Sequence, residues 1–155
     1  MSILEELEKQ YHEIDQYYSG LEFDASSRRW TKKEQQYKRQ RDINDQAYFL
    51  FMFSRLEDRI RQESAKLIRR KKSSISSWRQ RAPWDLLPNQ PGDNLHFKSR
   101  LALLCDKGGA DFKLVSDYYK ERNSIAHGGS FVTPISMPTV IIEMKRLYRA
   151  FKTPA

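Results

Sequence analysis

Hydrophobic positions along the chain recur mostly at spacings of three and four, the period of an amphipathic helix. Leu4, Leu7, Tyr11, Ile14 and Tyr18 form one such stripe over residues 2–19, with Glu5, Glu6, Glu8, Glu13 and Asp15 mostly off it and Gly20 as the expected stop. A polar connection through Ser26 and Ser27 leads to Thr31, which with Glu34 has the spacing of a capping box. From about 32 to 71 neither Pro nor Gly interrupts, predicting one long helix or two broken near Asp42–Asp45. Phe49, Met52, Phe53, Leu56, Ile60 and Leu67 give its buried stripe. Leu50 and Phe51 fall on other faces, so residues 47–53 are apolar nearly all round, as for a segment covered on two sides.

Ser and Pro punctuate residues 73–93, predicting a loop tucked against the domain by Trp78 and Trp84. A third helix is expected from about Asn94 to Lys107, with Phe97, Leu101 and Leu104 inward and Gly108–Gly109 ending it. A fourth is expected from Ala110 to Ala126 with Phe112, Val115 and Tyr119 on one face, stopped by Gly128 and Gly129. Ser136 then caps a last helix to about Phe151, with Pro138 in its first turn and Val140, Ile141, Met144, Leu147, Tyr148 and Phe151 inward. No alternating strand pattern and no repeat is visible. The expected class is all-α, a bundle of four to five helices.

Composition refines this picture. The 155 residues suit one domain, and the aromatic content (eight Phe, eight Tyr, three Trp) supplies a core. The single cysteine, Cys105, cannot form an internal disulfide and lies in the apolar run LALLC, where a buried, inert thiol is expected. The start MSILEELEKQ lacks the basic and apolar regions of a signal peptide, and the run at 47–53 is too short to span a bilayer. A cytoplasmic protein without membrane association is the expectation.

The net charge of +8 is unevenly distributed. Residues 1–27 carry seven acids and one base; residues 28–81 carry seventeen bases and six acids. Within the latter, Lys66, Arg69, Arg70, Lys71, Lys72, Arg79 and Arg81 occur with no intervening acid. Such a run suits a polyanion, because neutralising phosphates releases counterions. It equally suits a solvated helix end.

Metal-ligand clusters, phosphate loops, nucleophile elbows and dinucleotide fingerprints are absent from the sequence, so no metal or cofactor is expected. What remains is Arg122-Asn123-Ser124-Ile125-Ala126-His127. Arg122 falls near the buried stripe of its helix, where a cation needs an acidic partner or an opening to water. Two readings fit. Arg122 pairs with Glu57 or Glu121 while His127 merely caps the helix, or the two cooperate in RNA cleavage, histidine moving protons and arginine stabilising the phosphorane.

The segment RNSIAH resembles the Arg-x4–6-His motif of the HEPN (higher eukaryote and prokaryote nucleotide-binding) superfamily, including the Asn after Arg. AYFLFMFSRLEDRIR, DYYKERNSIAHGG and MPTVIIEMKRLYRAF are similar to that family's central, motif and closing helices, covering about residues 45–152 apart from 73–93. The resemblance implies a HEPN-like helical domain at 45–155 preceded by an N-terminal helical extension at 1–44, or else one continuous domain over 1–155. It implies a homodimer with adjacent motifs and a metal-independent endoribonuclease serving as toxin or phage-defence effector. By the same resemblance Arg122 and His127 are the catalytic pair, Asn123 is a supporting polar residue, and Glu57 orients Arg122. The family also includes inactive adaptors, so RNA, an antitoxin or a defence-complex protein are the partners it suggests.

Overall fold

The computed structural model describes residues 1–153. Among these there are six helices and no strand: α1 (Ile3–Ser27), α2 (Thr31–Ser74), α3 (Trp78–Asp85), α4 (Phe97–Ala102), α5 (Ala110–Ala126) and α6 (Met137–Ala150). No helix among them is long and apolar enough to cross a membrane. Contacts group the described residues into two units, one of residues 1–53 with 121–143 and the other of 54–120 with those from 144 onward. The expected division at 44/45 falls inside the unbroken helix α2, and residues 1–44 group with the segment that follows the RNSIAH motif.

In the first unit α1 and α2 form an antiparallel pair. Tyr11 donates its hydroxyl to Asp45 at 2.8 Å, while Arg41 reaches Asp15 at 2.9 Å and Glu22 at 3.0 Å. Ring contacts join Tyr11 to Tyr48 and Tyr18 to Tyr37. The first helix starts as its sequence dictates: Ser2 and Glu5 exchange bonds in a capping box. It does not stop at Gly20, a correction to the sequence reading. Gly20 is exposed and a β-carbon there would meet nothing, so the helix absorbs its propensity cost while Glu22 and the buried Ala25 continue the face toward α2. The helix ends instead at Arg28, with Arg29 left-handed at φ +57°.

Helix α2 runs unbroken through Asp42–Asp45 for 44 residues. Thr31 is its first helical residue rather than its cap, and Glu34 donates its N–H to the Trp30 carbonyl. Phe49, Met52, Phe53, Leu56 and Ile60 are fully buried as expected, while Ile68 takes the buried place assigned to Leu67. Phe51 is 55% exposed.

The second unit departs most from expectation. Residues 78–85 are helical, and Trp78 points outward, 67% exposed, instead of tucking the segment down. The third helix is trimmed from fourteen expected residues to six. Arg100 explains its late start. This fully buried guanidinium donates to Ser64 Oγ at 3.2 Å and to the carbonyls of Gln90 and Asp93 at 2.9 and 3.0 Å. Residues 90–93 are thereby held as irregular chain, and the His96 imidazole caps the helix by accepting from Lys98 N–H. The Arg100 Nε finds no partner, and burial lowers the pKa of its guanidinium. The helix ends early because Leu103 and Leu104 N–H groups bond three residues back. Elsewhere in this unit Phe97 stacks on Tyr119 at 4.6 Å, and Arg146 grips Asp111 at 2.7 Å. Glu63, in the C-terminal part of α2, accepts from Thr153 Oγ1 and N–H at 2.6 and 2.8 Å and from Lys66 at 2.9 Å.

Candidate functional site at the end of α5

Helix α5 covers the residues its periodicity predicts, Ala110–Ala126, with Val115 and Tyr118 buried and Phe112 and Tyr119 partly so. Its termination organises the motif. The His127 N–H still bonds the Asn123 carbonyl at 3.1 Å. Gly128 then turns left-handed at φ +82°, its N–H bonding Ile125 O at 3.1 Å while Gly129 N–H bonds Ser124 O at 2.9 Å. These two bonds are the Schellman pattern, and they make His127 the last residue before the turn. Both positions favour glycine. Gly128 has a φ that side chains resist, and a β-carbon on Gly129 would lie 2.8 Å from the Ser124 carbonyl oxygen.

The segment after the turn is clipped back onto α5. Glu121, buried beside Arg122, accepts from Val132 N–H at 2.7 Å, from Thr133 N–H at 3.1 Å and from the Thr133 hydroxyl at 2.7 Å. Ser124 Oγ donates to the Ser130 carbonyl at 2.8 Å, and Phe131 meets the Phe49 ring edge-on. A carboxylate accepting three donors is satisfied in burial, which an unpaired one would not be. Glu121 thus holds the following loop, a role the sequence reading missed. No periodic signal marks a contact made eleven and twelve residues downstream in a loop.

Arg122 is half-buried, and its Nη1 donates to Asn123 Oδ1 at 3.0 Å. The His127 ring is exposed and makes no hydrogen bond or ion pair among the described residues. Five residues apart on a helix still wound through His127, the two side chains leave the axis about 140° apart. Glu57 belongs to the other unit, where it accepts from Arg61 at 2.7 Å.

Two clefts adjoin the loop in the first unit. One, of about 490 Å³, is lined by Asp42, Asp45 and residues 130–135. The other, of about 390 Å³, includes Tyr11, Asp15, Glu22, Arg41, Asp45 and Met137. Burial, countered in part by the Tyr11 hydrogen bond, raises the Asp45 carboxyl above its ordinary range. Burial and the Asp45 acceptor together raise the Tyr11 phenol. Neither cleft has Arg122 or His127 in its walls.

The basic segment expected to track a polyanion is largely committed to its own unit. Lys66 binds Glu63, Arg69 donates to Asn89 O at 2.8 Å, and Lys72 donates to Leu87 O at 2.6 Å. Arg81 reaches Asp85 and Ile75 O, Lys71 lies 5.9 Å from the Trp84 ring, and Arg79 lies over the exposed Trp78. These bonds fold the 75–93 segment against the end of α2, so the run has a structural role that its charge pattern does not reveal. Cys105 is half-buried rather than buried. Burial and the nearby Asp111 and Asp106 charges push its thiol up to about 11, which keeps it protonated and unreactive near neutrality. No group of three or more His, Cys, Asp or Glu among the described residues could hold a metal ion. Comparison with protein-family models, with curated proteins and with solved structures gives no match to this chain.

Proposed function

We propose that the chain is a metal-independent endoribonuclease with a HEPN-like fold, acting as a toxin or phage-defence effector. The observation that carries this reading is the helix end itself: an unencumbered His127 ring at the last wound position of α5, with Arg122 and its Asn123 partner on the preceding turn. In the proposed reaction an RNA 2′-hydroxyl attacks the adjacent phosphorus. His127 takes the hydroxyl proton or donates one to the departing 5′-oxygen, and Arg122 neutralises the phosphorane. The P–O5′ bond breaks, leaving a 2′,3′-cyclic phosphate and a 5′-hydroxyl.

One copy presents Arg122 and His127 on different sides of α5, so the proposed assembly is a homodimer in which each motif faces its counterpart. The partly exposed apolar stretch 47–53, with Phe51 outward, offers surface for such a partner. Glu57 as the carboxylate orienting Arg122 belongs to the same proposal, as does contact of the 66–81 cations with the RNA backbone. A second reading, a non-catalytic adaptor in a toxin–antitoxin or defence complex, is favoured by one observation: the clefts beside the motif loop have neither Arg122 nor His127 in their walls. RNA cleavage in EDTA separates the two. The nuclease yields cyclic-phosphate ends that disappear in His127→Ala; the adaptor leaves every RNA pool intact.

A further inference from the structure

The turn between α1 and α2 reads Arg28-Arg29-Trp30-Thr31-Lys32-Lys33, four cations and an indole in six residues, with no acid between Asp24 and Glu34. Arg29, Lys32 and Lys33 are exposed and make no ion pair among the described residues. Arg28 approaches Asp24 at 3.3 Å, but both side chains are more than half exposed, so water screens that pair. Trp30 is 44% exposed, with the Arg28 guanidinium 5.0 Å and the Lys33 ammonium 4.7 Å from its ring. Trp30, Thr31, Lys32 and Lys33 line a shallow recess of about 360 Å³. The indole is therefore covered by cations at the surface rather than by a core.

The backbone carries a second sign. Trp30 N–H bonds Ala25 O at 2.8 Å and Arg29 N–H bonds Ser26 O at 3.0 Å, so α1 ends in the same pattern as α5. The left-handed position, held by glycine at the end of α5, is held here by Arg29 at φ +57°. A β-carbon there is disfavoured sterically, and nothing inside the fold uses the Arg29 side chain. The basic run at 66–81 contrasts with this turn, since its cations mostly serve neighbouring carbonyls and rings.

We propose that the 28–33 turn is a docking surface for single-stranded nucleic acid, with Trp30 stacking on a base and the flanking cations on phosphates. An unstacked base offers the face an indole needs, which a duplex withholds. An anionic membrane suits the turn less well, because the acidic residues Glu22 and Asp24 lead directly into it. This surface does not depend on the ribonuclease reading, and binding can be followed without cleavage.

The test is fluorescence anisotropy with two labelled 12-mers, 2′-O-methyl-oligouridine, which lacks the 2′-hydroxyl nucleophile, and oligothymidine. Binding of at least one is expected, and the tighter of the two identifies RNA or DNA as the source. Trp30→Ala weakens that binding about tenfold or more, and Trp30→Phe restores most of it. Changing Lys32 and Lys33 together to Ala weakens binding and lowers the slope of log affinity against log salt by about 1.4, two single-strand contacts at about 0.7 each. Arg29→Gly weakens binding while leaving the melting temperature unchanged or higher, opposite to what a structural arginine would do. The proposal is overturned if Trp30→Ala and the Lys32/Lys33 variant bind as wild type, or if only Lys71→Ala with Lys72→Ala reduces affinity. It is equally overturned if a duplex binds as tightly as the single strands, or if phosphatidylserine vesicles bind and neither oligonucleotide does.

Discussion

Single residues decide how firmly the α5 end is built. Gly128 occupies a left-handed φ and Gly129 lies where any β-carbon meets a carbonyl oxygen. Gly128→Ala should therefore cost about 1 kcal/mol, and Gly129→Ala more, both read as lowered urea midpoints; wild-type midpoints would mean the turn is not formed as described. Glu121→Ala strips a buried carboxylate from three donors and should cost about 2–4 kcal/mol, at roughly 1.5–3 for a charged hydrogen bond less partial rehydration of the loop. Glu63 supplies a pH signature. Burial pushes its pKa up, but the Thr153 hydroxyl, Lys66, the Thr153 N–H and the Arg59 charge outweigh this and hold it near 2, against an ordinary 4.5. The ionised form is thus favoured by folding. Its contribution is complete above pH 4.5 and fades as pH falls toward 2, about 3 kcal/mol at 1.36 per pH unit. Denaturant titrations of wild type and Glu63→Gln should converge as pH falls through that window. A constant gap between them would remove Glu63 from the acid dependence.

At the level of helices, α1 gives a clean test because its glycine is interior and exposed. Gly20→Ala meets nothing within van der Waals range and should stabilise by about 1 kcal/mol with an unchanged denaturant slope. Destabilisation would instead mean that α1 does break there, as its sequence first suggests. The helices that pattern predicts best, α5 and α6, carry continuous apolar stripes bounded by glycine or a serine–proline start. Failures cluster where one distant side chain outvotes the local signal. Arg100 holds the carbonyls of Gln90 and Asp93, which delays α4. Ser and Pro mark 73–93 as loop although Trp78–Asp85 coils into a helix with Pro83 inside it. The candidate site was legible to the same degree. Arg122, Asn123 and His127 stand out by type and spacing, whereas Glu121, Ser124 and Thr133, which fix the loop beside them, are joined by contacts that no spacing encodes.

For the whole molecule, the proposed catalysis demands two copies, because a helix wound through His127 separates that ring from Arg122 by about 140°. Light scattering at micromolar concentration should give twice the 18.4 kDa chain mass, and a monomer would leave the proposed pair without its counterpart. The central claim is tested most directly by incubating wild type, Arg122→Ala and His127→Ala with total RNA and with tRNA in EDTA, then mapping the ends produced. The account predicts 2′,3′-cyclic phosphate and 5′-hydroxyl ends from wild type and none above background from either variant, with all three proteins melting alike. Equal cleavage by the variants, or intact RNA after incubation with wild type in every pool, would contradict it.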